Sequence, residues 1–372
     1  MAVTIKQIAS VAGVSRGTVD RALHNRPGVK PEIAQQIREI AASLGFEPNR
    51  AGKILATRKQ PIKIGCFLPG VGNPFFDDVK RGFLRAEAEL ADFGVSVEIS
   101  NIEGYKVKDH IRAINGLIDN GCVGLCICTV DVPEIREYVN NLAKQGIPVI
   151  AVNTDISKTN RICYVGCDYY NAGQTAAGLL ALTSPKWLEL FIVIGSLNIK
   201  GHNDRIRGFS QTLRNKMIPY KVVEVLEAQD NDERAYKMTV DILKNNKNIN
   251  CIYIAAAGVG GVCKAILQLG LQDKILVVSH DEISITQQMV KDSVIDFTIG
   301  QEPEEQGYRS IELLFNYFIG NKKIIPSDYI TGTIIKIKEN IDQSEKGLSD
   351  KEKNLSLPEK SLLGPEKSVH AF

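Results

Sequence analysis

Within the first 26 residues, Arg16, Thr18, Arg21 and Arg26 follow the run Ala12-Gly13-Val14-Ser15, between two short amphipathic segments. Guanidinium groups on a short helix suit base edges and phosphate oxygens. Thr4 and Gln7 stand at capping-box spacing ahead of Ile5, Ile8, Ala9 and Ala12, so a first helix is predicted to start at Ile5 with its first amides satisfied. Gly13 permits a tight turn, and Ser15 is placed to accept from the amides of a second helix starting at about Arg16. Val14, Val19, Ala22 and Leu23 give that helix a buried side, which leaves Arg16, Gly17, Asp20 and Arg21 outward near its N-terminal end. In a helix-turn-helix those positions enter the major groove of DNA. A third helix is predicted from Pro31, with Ile33, Ile37, Ile40 and Leu44 closing a three-helix core before Gly45.

A second group of chemistry-bearing residues lies farther along. Asn73, Phe75 and Phe76 follow a first strand-like run, Asp131 a third, and Asn153 and Asp155 a fourth. Arg205, Asp281 and Gln301 stand after later runs. Aromatic faces with planar polar groups suit a sugar-like ligand, whose C–H surfaces stack while its hydroxyls take hydrogen bonds. Each residue alone also fits an ordinary turn or cap, and their shared position at strand ends is what favours a binding site.

The elements that must position them are a run of βα units. Strands are predicted at residues 62–68, 95–99, 123–128 and 148–153, with helices over 76–91, 108–120 and 133–145. A second set begins after residues 164–166, with strands at 190–194, 222–226, 251–255 and 275–279 and a strand-like run at 296–299. The fold class is therefore α/β: a three-helix head, then two doubly wound parallel lobes with their strand C-termini across one cleft. The expected domains are 1–48 for the head, 49–60 for a linker, 61–341 for the two-lobed body and 342–372 for a tail.

Composition fits this division. Residues 1–60 carry ten Lys and Arg against four Asp and Glu, and the remaining 312 carry 35 against 39. A basic head on a slightly acidic body suits a phosphate backbone, with affinity that falls with salt. No apolar run approaches a membrane span and no leader precedes the head, which points to a cytoplasmic protein. The eight cysteines fit that compartment: Cys66, Cys122, Cys126, Cys128 and Cys251 sit in apolar runs. Neither Cys122, Cys126 and Cys128 nor the pair Cys163 and Cys167 has a zinc-binding spacing, so no metal and no cofactor are expected.

The motifs resemble the LacI/GalR (lactose-repressor) family of transcription regulators. The resemblance rests on Val3-Thr4-Ile5 through Ala9, Ala12-Gly13-Val14-Ser15, Thr18-Val19, Arg21, Pro48-Asn49-Arg50 and Leu55-Ala56. The body is similar to that family's periplasmic-binding-protein-like (ribose-type) ligand domain through Asn73-Pro74-Phe75-Phe76, Arg205, His280-Asp281 and Gln301. The resemblance implies base-reading positions at Arg16, Gly17 and Arg21 and phosphate contacts at Thr4, Ser15, Thr18 and Asn25, with Asn49 also on the DNA side. Arg21 is the best direct reader, since a guanidinium takes guanine O6 and N7 together. Residues 50–57 correspond to a hinge helix that folds on DNA, with Leu55 as its minor-groove wedge. Homodimerisation on a pseudo-palindromic operator and a sugar or sugar-like effector are implied as well, and no catalysis.

Departures limit the transfer. Asp20 stands where the family has Ser, and an acid there repels phosphate while it accepts from a cytosine amino group. Gly52 weakens the hinge helix by about 1 kcal/mol. Ala255-Ala256-Ala257-Gly258 replaces an Asn-Asp pair that grips the sugar in relatives. That alanine wall keeps open a regulator governed by a partner protein rather than a sugar. A Rossmann enzyme does not fit, because Gly70-Val71-Gly72 runs into Asn73-Pro74 and Gly258 to Gly261 follow a later strand. A sugar-transport component would need an export signal and has no use for a basic head. The tail, with six acids, five lysines and few apolar anchors, is expected to be disordered.

Overall fold

The computed structural model describes residues 5–23, 27–44, 61–183, 186–320 and 325–342. The head comprises α1 (Ile5–Ala12), α2 (Arg16–Leu23) and α3 (Pro31–Ser43). At the end of α1, Gly13 adopts a φ of +64° and the Val14 amide reaches back to the Ala9 carbonyl at 3.1 Å. This Schellman-type closure needs a left-handed residue, which glycine supplies without a Cβ clash. Ser15 caps α2: its Oγ accepts from the Thr18 amide at 3.1 Å. Ile8, Ala9, Val19, Ala22, Ala34, Ile37 and Ala41 form the core of the head. Leu44 departs from expectation. It is 37% exposed, because α3 ends at Ser43 and Ala41 takes the last core position. The cap at Thr4 and the stop at Gly45 lie outside the described residues.

The body holds two six-stranded sheets. The first contains β1 (Ile62–Leu68), β2 (Val95–Asn101), β3 (Gly124–Ile127), β4 (Val149–Val152) and β5 (Cys163–Cys167). The second contains β6 (Leu188–Ile194), β7 (Tyr220–Glu227), β8 (Cys251–Ile254), β9 (Leu276–His280) and β10 (Phe297–Gly300). Helices α4 (Phe75–Leu90), α5 (Val107–Asp119) and α6 (Pro133–Lys144) serve the first lobe. Helices α7 (Tyr169–Leu182), α8 (Lys200–Asn215), α9 (Asp232–Asn245), α10 (Val259–Gln268) and α11 (Ser284–Lys291) serve the second.

Beyond residue 299 the structure adds three elements that the alternation does not announce: α12 (Pro303–Phe318), β11 (Asp328–Thr331) and β12 (Ile334–Lys336). Helix α12 returns to pack on α4, and β11 pairs in parallel with β5. Strand β12 then crosses back and lies antiparallel to β10. The strand orders are β2-β1-β3-β4-β5-β11 and β7-β6-β8-β9-β10-β12. Each lobe thus has the same doubly wound order, and the chain passes between lobes after β5, after β10 and after β11.

Alternation along the strands builds a core on each sheet face. Ile64, Cys66 and Leu68 of β1 pack with Phe76, Val79 and Phe83 of α4 and with Ile311 and Leu314 of α12. Phe67 points the other way, into a core with Ile114, Leu117 and Val139. Both faces of the central strands are covered, so these strands read as continuous apolar runs, unlike β2 and β7. Glycines let paired helices touch backbone to backbone. A Cβ on Gly173 would lie 2.1 Å from the Arg205 carbonyl oxygen, and one on Gly208 would lie 2.0 Å from that of Tyr170. The α7/α8 contact therefore fixes the helix that carries Arg205.

All eight cysteines are buried and unpaired. Burial pushes the thiols of Cys128, Cys163, Cys167, Cys251 and Cys263 up to about 12, so they behave as small apolar side chains. Among the described residues no helix is long and apolar enough to cross a membrane, and no cluster of His, Cys, Asp or Glu suits a metal ion.

Candidate functional site

On the head, Ser15, Arg16 and Gly17 are exposed at the start of α2 and Arg21 in its last turn, while Thr18 and Asp20 are half-buried. The Arg21 Nε donates to the Gly17 carbonyl at 3.1 Å, which draws the guanidinium over the first turn of α2. The Ser15 hydroxyl lies 2.8 Å from that of Thr18. The helix therefore presents two guanidinium side chains and a hydroxyl pair on one end. Thr4, Asn25, Asn49, Leu55 and the hinge at 50–57 lie outside the described residues.

In the body, the strand C-termini of both lobes converge on one cavity of about 30 Å³, lined by Asn73, Phe75, Phe76, Asn153, Arg205, Asp281 and Gln301. Arg205, 2% exposed, is its centre. Its Nη1 donates to the Ala255 carbonyl at 2.7 Å, its guanidinium lies 4.5 Å from the Tyr169 ring centroid, and Nη2 is 4.0 Å from Asp281 Oδ1. Its Nε and Nη2 are buried without a hydrogen-bond partner. Gln301 Nε2 donates to Asp281 Oδ1 at 2.5 Å, which fixes that carboxylate opposite the guanidinium. Asn153 holds a φ of +63° and donates to Gln306 at 3.2 Å, tying the end of β4 to α12.

The lobes meet directly across this cavity. From the first lobe, Asn73 Nδ2 and the Tyr105 hydroxyl both donate to Asp230 Oδ2 in the second, at 3.3 and 2.5 Å. Asp230 Oδ1 is shut from solvent without a partner. Burial raises the carboxyl pKa of Asp230, and the two donors oppose it. Burial likewise raises Asp281, against the pull of Arg205. Desolvation, then Arg205, pushes His202 down to about 3, so its ring is neutral.

Two expected ligand residues are not in this cavity. Asp131 accepts from Arg136 Nε at 2.6 Å and from the Ser157 amide at 3.1 Å, which spends it on bracing its own loop. Asp155 accepts from Arg161 Nε at 2.5 Å and from the Ile156 amide, and it lines a second cavity of about 210 Å³. Conversely, Tyr105, Tyr169, His202 and Asp230 line the cleft unannounced. The strand-end rule, applied to β7, would have found Asp230.

A helix-turn-helix head on a two-lobed binding body defines a ligand-governed DNA-binding protein. Residues 64–322 match the periplasmic binding protein domain, and residues 4–49 match the bacterial regulatory proteins of the lacI family. The chain belongs to the lacI family: it is a DNA-binding transcriptional regulator with a sugar-binding-type effector domain, and it is not an enzyme. It is 27% identical over 345 residues to the ribose operon repressor of Lactococcus lactis, across 90% of this chain and 98% of that one. It is 25% identical over 282 residues to catabolite control protein A of Priestia megaterium, across 76% and 81%. Among solved structures, GanP, a glucose-galactose binding protein from Geobacillus stearothermophilus, superposes with a TM-score of 0.70 at 24% identity, covering 76% of this chain and 99% of that one. A sugar-binding protein from Bacillus halodurans gives 0.65 at 23%, covering 76% and 99%. These two likenesses establish the fold alone.

Proposed function

We propose that the chain binds a pseudo-palindromic operator as a cytoplasmic homodimer, and that a small sugar-like molecule in the interlobe cleft sets its affinity for that operator. The observation that carries the effector half is the pair of unpartnered donors on Arg205, in a cavity that Asp230, with its own unpartnered Oδ1, also lines. A buried polar atom without a partner costs about 1–3 kcal/mol, and hydroxyls of a ligand relieve that cost. Phe75 and Phe76, packed edge to face at 5.4 Å, supply the apolar wall against which C–H surfaces lie.

The present lobe contact leaves about 30 Å³ of space, so the lobes must part for a sugar to enter. The bonds from Asn73 and Tyr105 to Asp230 then break and re-form around the guest. A ligand that favours one lobe arrangement shifts the head and hinge toward or away from the operator, with couplings typically of about 1–3 kcal/mol. The dimer follows from symmetry: one three-helix head reads a half-site, and a two-fold pair reads two.

A thermal-shift screen of monosaccharides, disaccharides and sugar phosphates tests the cleft, since a ligand of the native state raises its unfolding midpoint. At least one member is expected to raise it, and Arg205→Ala to remove that response. A screen without a single hit would transfer control to a partner protein, the reading that the wall of Ala256 and Ala257 otherwise supports.

A further inference from the structure

The cleft contains a carboxylate without a counter-ion. Asp230 follows β7 with a φ of +54°, and its Oδ2 is held by two neutral donors, Tyr105 and Asn73. Its Oδ1 is buried and unpartnered. Among the described residues, none of the ion pairs within 4.0 Å includes Asp230, and the guanidinium of the cleft stands by Asp281 instead. The His202 ring shares the space above Gly195 with Asp230 Oδ1, but it is neutral. An ionised carboxylate held away from water without a cation is costly.

A neighbouring cavity repeats the pattern. Pro69, Asn73, Asp230 and Ala257 also line an adjoining cavity of about 380 Å³. Its lining carries Glu103, Asp230 and Asp232 and contains no Lys, Arg or His. A concave wall of one charge sign concentrates ligands of the other sign and repels its own. Deeper in, Arg205 Nε and Nη2 require acceptors.

We propose that the molecule this cleft takes carries an ammonium group that docks on Asp230 while its hydroxyl or ring oxygens meet Arg205: an amino sugar or amino polyol, in preference to a neutral sugar or a sugar phosphate. This rests on the reading of the cleft as a sugar-type effector site. An ammonium on Oδ1 leaves Oδ2 to Tyr105 and Asn73, so the same carboxylate holds the guest and draws the lobes together. A neutral sugar leaves the charge uncompensated, and a phosphate is repelled by Asp230 and by Glu103 and Asp232 of the adjoining cavity.

The test is isothermal titration calorimetry and thermal shift on the full chain near neutral pH with matched sets: glucosamine, glucose and glucose 6-phosphate; galactosamine, galactose and galactose 6-phosphate; and glucamine with sorbitol. An amine member is expected to bind at least tenfold more tightly than its neutral partner, with no shift from the phosphates. Asp230→Asn, which keeps a side chain that tolerates left-handed backbone, is expected to abolish that preference. A neutral or phosphorylated member that binds as tightly as its amine partner would overturn this proposal and leave the sugar-type reading standing. If no member of any set binds, this proposal is overturned, while the sugar-type reading falls only if the wider sugar screen also gives no hit; an amine preference that survives Asp230→Asn would remove Asp230 from the role. The wild-type comparison is decisive even if the variant does not fold.

Discussion

Among the described residues, Arg205 and Asp230 are the charged side chains of the cleft that keep buried atoms without a hydrogen-bond partner. Arg205 spends one nitrogen on the Ala255 carbonyl and keeps two buried donors in reserve. The fork geometry matters as much as the charge, so Arg205→Lys is expected to lower affinity for a bound sugar about tenfold or more by titration calorimetry. For Asp230 the sign follows from linkage. Its folded pKa is raised above the ordinary 3.8 by burial, with Asp281 and Asp232 adding to the rise, Tyr105 and Asn73 opposing it, and His202 neutral beside it. The fold therefore prefers the protonated acid: the charge destabilises the free protein above the folded pKa, and that penalty fades as pH falls through it. The unfolding midpoint of Asp230→Asn, measured without ligand, is expected to exceed that of the wild type at neutral pH, with the gap closing as pH falls toward 3.8. A gap independent of pH would contradict this. Much of this site was legible, because Asn73, Phe75, Phe76, Asn153, Arg205, Asp281 and Gln301 all obey the strand-end rule. Asp131 and Asp155 obey it too, but Arg136 and Arg161 capture them, a local rivalry that no spacing reveals. Asp230 obeys the rule after β7, but in sequence Gln229 and Asp230 look like any polar turn, and the φ of 54° that both adopt is visible only in the structure.

At the scale of elements, caps and close contacts govern. Ser15→Ala removes the cap of α2 and is expected to cost the head about 1 kcal/mol, read as earlier melting of head helicity by circular dichroism in the full chain. Gly208→Ala drives a Cβ into the Tyr170 carbonyl oxygen and is expected to destabilise the second lobe by about 2 kcal/mol in urea unfolding. The central strands were readable because both faces are buried. The expected strand at 62–68 coincides with Ile62–Leu68, and the other expected strands differ mainly at their ends. The returning elements were not. Strand β11 has four residues and β12 has three, with most of their side chains only partly covered, so neither shows a sustained apolar run. Strand β5 likewise belongs to the first sheet, where it pairs in parallel with β4 and β11, although it borders the second lobe in sequence.

For the whole molecule, charge separates the two activities: ten basic against four acidic residues in 1–60, and 35 against 39 beyond. Operator binding is expected to weaken steeply as salt rises, whereas binding of an uncharged probe in the cleft should change little. On the proposed dimer, gel filtration is expected to give twice the chain mass of 40.9 kDa, and a monomer at high concentration would contradict it. The linker at 49–60 and the tail at 342–372, apart from Asp342, fall outside the described residues, so the coupling between cleft and head is a functional question. Fluorescence anisotropy on a labelled operator at fixed salt, with and without the sugar that stabilises the chain, addresses it most directly. The ligand is expected to move the operator Kd by about 5- to 150-fold in the wild type, and not at all in Arg205→Ala. A ligand that binds the cleft and leaves the operator Kd where it was would contradict the account.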